Sequence, residues 1–98
     1  MTATDHAVLL IEEIEAATPQ RLIVIARCLA RVRTGAHLHR IRDTKEPIDL
    51  TVVELWRYTS LQVDEIDPPH TARVILNGTG GTLIQHGHRI EGANPIAS

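Results

Sequence analysis

Apolar and polar positions alternate in short runs along this chain, and turn signals interrupt them every 8–12 residues or so. His37-Leu38-His39-Arg40-Ile41 alternates as a half-buried strand should. Ile48 to Trp56 reads as another strand, Thr71 to Leu76 as a short one, and His88 to Glu91 as the last. Leu22-Ile23-Val24-Ile25 is continuous and β-branched, which favours a buried strand. Gly35, the charged stretch Arg42 to Pro47, Asp67-Pro68-Pro69 and Asn77-Gly78-Thr79-Gly80-Gly81 are the breaks. The last of these reads as a hairpin turn. Two segments stay ambiguous on pattern alone. Ala7 to Ala17 fits a helix capped by Thr4 or Asp5, and equally a strand ending at Thr18-Pro19-Gln20. Arg21 to Arg33 poses the same choice. Pattern and spacing therefore establish a mostly β chain, and a sandwich or barrel is the architecture such spacing suggests.

Composition sharpens this. Ninety-eight residues make one domain with a modest core. Phe is absent and the only aromatics are Trp56 and Tyr58, so Ile, Leu, Val and Ala must fill the interior. The single Cys28 excludes an internal disulfide and reads as a small buried hydrophobe. No stretch has the apolar length of a membrane-spanning helix, and the acidic start does not look like a secretory leader. A reduced, cytoplasmic setting is the expectation.

Five stretches resemble, in order and spacing, domain 2 of elongation factor Tu and related translational GTPases. Leu10-Ile11-Glu12-Glu13-Ile14 resembles that family's Pro-Ile-Glu-Asp-Val, and Ile23-Val24-Ile25-Ala26-Arg27-Cys28 its Val-Val-Thr-Gly-Arg-Val. Val53-Glu54-Leu55-Trp56-Arg57 resembles Val-Glu-Met-Phe-Arg. Val74-Ile75-Leu76-Asn77-Gly78 resembles Val-Leu-Leu-Arg-Gly, and Ile84 to Ile90 resembles Ile-Glu-Arg-Gly-Gln-Val-Leu. Ala26 stands in place of a Gly, and Pro68-Pro69 in place of Ala-Gly. A residue and a Gly are missing between Arg27 and Gly35. The resemblance implies a stand-alone, all-β, small closed antiparallel barrel of six to seven strands, without the GTPase. It would span residues 7–91, between a flexible N-terminus at 1–6 and a flexible tail at 92–98. Under it, Ala7 to Ala17 is a strand.

In elongation factor Tu this domain helps to hold the aminoacyl end of transfer RNA. The resemblance maps that pocket onto Glu12, Glu13, Glu54 and Arg57, with Glu15 in place of an aromatic, Leu22 of a Thr and Thr71 of an Asn. The loss of the aromatic removes a stacking surface for an unpaired base. The plainer reading is that these charges form cross-strand ion pairs.

The charge pattern supplies a second candidate. Net charge is −2, but Arg21 to Arg42 holds six Arg and no acid, whereas Asp43 to Asp67 holds seven acids against Lys45 and Arg57. Arg27, Arg31, Arg33, Arg40 and Arg42 could meet phosphate or an acidic partner. They could equally pair with the acidic strands. His37-x-His39 and His86-x-His88 would each put two rings on one strand face, a weak candidate for a transition metal. No nucleophile motif or phosphate loop is present, so neither enzyme activity nor a cofactor is expected. The expected function is a binding module that docks on a protein or a translation component. RNA binding through the arginines and metal binding through the histidines are the alternatives, and self-association stays open.

Overall fold

The computed structural model describes residues 5–58 and 60–95. Among these residues nine strands follow one another: β1 (His6–Ala17), β2 (Arg21–Ala30), β3 (Val32–Arg33), β4 (His37–Ile41), β5 (Pro47–Arg57), β6 (Leu61–Val63), β7 (Glu65–Ile66), β8 (Thr71–Thr79) and β9 (Arg89–Ala93). The main sheet runs β4-β9-β1-β2-β8-β5-β6, and β4 also pairs with β5. Six strands thus close into a barrel in which every neighbour is antiparallel, and β6 is added beside the C-terminal half of β5. The fold is the small closed all-β barrel. Both ambiguous segments are strands, because β1 and β2 each find partners on both sides. Among the described residues no helix is long and apolar enough to cross a membrane.

Period-two patterning fills the interior. Leu9 and Ile11 of β1, Leu22 and Val24 of β2, Leu50 and Val52 of β5, and Val74 and Leu76 of β8 are all buried. Each such side chain gains about 1.5–3 kcal/mol from leaving water. Bulges break the period where the barrel bends. On β4, Leu38 and Ile41 both point inward across the register shift between Leu38 and Arg40, leaving His39 and Arg40 outside. On β5, Val52 and Leu55 do the same around Val53 and Glu54.

Two glycines let strands approach closely. A Cβ at Gly78 would sit 1.9 Å from the Asp49 carbonyl oxygen, and one at Gly92 would sit 1.8 Å from that of His37. Asn77 to Gly81 is not a hairpin turn. β8 continues to Thr79 along β5, and a one-turn 3-10 helix follows over Gly81–Leu83. The chain then crosses to β9, which pairs with β1 and β4 rather than β8.

β9 also runs past its expected end, through Gly92 and Ala93, to a buried Asn94. The Asn94 side chain accepts from the Arg33 amide (2.8 Å) and donates to the Arg31 carbonyl (2.8 Å) and to Asp5 (3.2 Å). It thereby ties β3 and both ends of the barrel chain together. Residues 1–4 and 96–98, where flexible ends were expected, lie outside the described residues.

Candidate functional site: an aromatic and apolar outer face

The continuous run in β2 has a structural meaning that a singly buried strand does not need. Leu22 and Val24 point into the barrel, whereas Ile23 and Ile25 lie half-buried on its outer face. Ile23 stands opposite Ile75 of β8, which is only 9% exposed although it too points outward. One rung of the sheet carries Glu13, Ile25, Arg73, Trp56 and Gln62, from β1 through β2, β8 and β5 to β6. The outer face here thus carries Ile25 and Trp56 on either side of Arg73, with Ile23 and Ile75 on a nearby rung.

Polar contacts fix the side chains around it. The Arg73 guanidinium donates twice to Glu15, at 2.7 and 3.0 Å. This bidentate pair pulls the Glu15 carboxyl below its ordinary value and raises Arg73. The Trp56 indole N–H donates to Glu54 at 2.8 Å, which pins the ring. Arg57 donates to the Tyr58 hydroxyl at 3.1 Å, with its guanidinium carbon 5.1 Å from the ring centroid. Tyr58 is 76% exposed, has a φ of 52°, and heads the β5–β6 turn, where Leu61 is 52% exposed. Two shallow depressions share Trp56 and Arg73. One of about 260 Å³ is lined by Glu54, Trp56, Arg73 and Ile75. The other, about 140 Å³, is lined by Ile25, Trp56, Tyr58, Thr71, Ala72 and Arg73.

The residues predicted from sequence are distributed as follows. Glu12, Glu13, Glu15, Glu54 and Arg57 lie outside the core on β1 and β5, and Thr71 is exposed at the start of β8. Leu22 is fully buried and cannot line an outer pocket. Glu54 and Arg57 do not serve each other: the first holds Trp56 and the second Tyr58.

The five arginines are distributed over β2, β3, β4 and the residues that follow β2 and β4. Arg27 pairs with Glu12 at 3.3 Å. Arg31 pairs with Asp67 at 3.0 Å, and Arg33 lies 3.6 Å from Asp5 and 3.7 Å from Glu65. Arg40 and Arg42 lie 2.9 and 3.8 Å from Glu91. Each has a carboxylate neighbour, but only Arg31 and Arg33 find one in the acidic run from Asp43 to Asp67; Arg27 meets Glu12, and Arg40 and Arg42 meet Glu91.

The histidine pairs are not brought together into a metal site. His86 and His88 lie in the loop before β9 and not on a strand, because β9 begins only at Arg89. His37 and His39 have ring centroids 5.9 Å apart, but His37 Nε2 is engaged by Asp49. Among the described residues no group of three or more His, Cys, Asp or Glu is arranged to hold a metal ion. Cys28 is buried, and its thiol donates to the Ala30 and Ile66 carbonyls. Burial pushes its pKa up to about 11, so it stays a thiol near neutrality.

Sequence reasoning missed Ile23, Ile25, Arg73 and Ile75. The available signal was apolar residues at both parities of one strand: Leu22 to Ile25 on β2, and Val74 to Leu76 on β8. A strand lining a barrel with a solvated outside needs only one parity. No family model, curated protein or solved structure matches the chain.

Proposed function

We propose that this protein is a non-enzymatic binding module that docks a protein partner, within the translation apparatus or outside it, on the outer face around Trp56. One observation carries the reading: the strongly exposed Tyr58 adjoins half-buried Ile25 and Trp56, with ion-paired Arg73 between them. Trp, Tyr and Arg are the residues that most often dominate interface energies, and an apolar centre with a charged rim is the usual anatomy. The resemblance of its strand motifs, in order and spacing, to those of translation-factor barrels favours a partner from translation. Arg27, Arg31, Arg33, Arg40 and Arg42 favour RNA less, since each of these five already has a carboxylate neighbour.

The test is affinity isolation from nuclease-treated extract of the source cell, comparing the wild type with a Tyr58→Ala, Leu61→Ala double variant and identifying both protein and RNA. The expected outcome is a defined protein that survives added salt and is lost with the variant. Material that nuclease removes, or whose affinity falls steeply with salt, would favour the RNA reading instead.

A further inference from the structure

We propose that the cleft between the β4–β5 turn and the loop leading into β9 binds a phosphate-type oxyanion. It shares no lining residue with the depressions at Trp56. Its volume is about 650 Å³, and Arg42, Asp43, Thr44, Gly87, His88 and Arg89 line it. Clefts of roughly 300–1,000 Å³ hold small ligands. This one is walled by charged and polar side chains, which suits a compact ion rather than an apolar molecule.

Its construction leaves positive charge incompletely matched. The β4–β9 ladder pairs Ile41 with Ile90, and the next hydrogen bond runs from the Arg42 amide to the Arg89 carbonyl at 2.8 Å. Two arginines therefore stand opposite each other at the end of the ladder, an unfavourable arrangement for like charges without a shared anion. Glu91 relieves it only in part. It binds Arg40 at 2.9 Å and reaches Arg42 only at its Nε, 3.8 Å away. Among the described residues Arg89 has no carboxylate within 4.0 Å.

His88 supplies a third donor. Its Nδ1 accepts from the Gln85 amide at 3.0 Å, so the neutral ring carries its proton on Nε2. The loop is anchored beforehand, because the Gly87 amide donates to the Ile11 carbonyl at 2.8 Å. Guanidinium forks match the oxygen spacing of phosphate. Asp43 lines the same cleft and opposes an anion, so it limits the affinity and gives the test its sign.

The experiment is a titration of the amide chemical shifts with sodium phosphate at constant ionic strength, with sodium chloride as control. Saturable shifts confined to residues 42–44 and 87–89 are expected. Arg89→Ala should weaken binding by about tenfold. Asp43→Asn should tighten it by about threefold. A second titration with phenyl phosphate identifies the source. Tighter binding than inorganic phosphate indicates an organic phosphomonoester, and weaker binding indicates the free ion. Shifts that fail to saturate, that chloride reproduces, or that Arg89→Ala leaves unchanged would overturn the proposal.

Discussion

Arg73 on β8 reaches across the whole width of β2 to hold Glu15 on β1 by two hydrogen bonds, at 2.7 and 3.0 Å. The pair bridges strands that are not neighbours, and Arg73 lies between Ile25 and Trp56 on the outer face. Its pH dependence follows from the sign of the Glu15 shift. The folded carboxyl titrates below its ordinary value of 4.5, so the pair stabilises the fold fully above that value. The contribution is lost as pH falls through 4.5 towards the folded pKa. Glu15→Gln should therefore lower the melting temperature at neutral pH. The gap to the wild type should close below pH 4.5 and shrink with added salt.

Gly92 and Gly87 separate two costs that a glycine can conceal. At Gly92 an added Cβ would meet the His37 backbone, which cannot move without breaking the β4–β9 ladder. At Gly87 nothing lies within 4 Å, and only the φ of 88° resists a side chain. Gly92→Ala should cost about 3 kcal/mol in a urea melt, and Gly87→Ala about 1 kcal/mol.

Leu22 is a core residue at a position where the resemblance to translation factors puts a pocket threonine. Leu22→Thr should lower stability by about 3 kcal/mol, through lost apolar volume and a buried hydroxyl. Binding by the fraction that remains folded should be unchanged, as measured by affinity at a temperature well below the melting transition.

Cys28 offers a readout of barrel opening. Its thiol is buried, bonded to two carbonyls and raised to about pH 11, so iodoacetamide should not modify it in the native state at neutral pH. Modification should appear only through the denaturation transition and track it, as followed by intact mass.

Most of the barrel was legible because inward residues keep strand period. Ala7, Leu9 and Ile11 on β1 and Leu22, Val24 and Ala26 on β2 alternate cleanly. What pattern could not decide was whether those segments were helical, since residues such as Leu, Ala and Glu serve both conformations. The bulges left a trace that went unread. His39 and Arg40 are both polar, so Leu38 and Ile41 stand three apart, and they share the inside because an extra residue sits between the paired positions. The continuation of β8 through Gly78 was masked by glycine, which signals turns and close strand approach alike. The outer face was half legible. Glu54, Arg57, Trp56 and Tyr58 were all named, but the hydrogen bonds that join Glu54 to Trp56 and Arg57 to Tyr58 follow only from side-chain placement, and Arg73 meets Glu15 only because β2 lies between their strands.

The most direct measurement places a photo-cross-linking amino acid at Tyr58, and separately at His39 on β4, which pairs with the opposite end of β5, in the otherwise native protein. Irradiation in extract should yield a discrete protein adduct from position 58 and none from 39. Arg73→Glu should abolish that adduct while circular dichroism shows an intact fold. Adducts at 39 alone, or equally at both positions, would contradict docking on the Trp56 face.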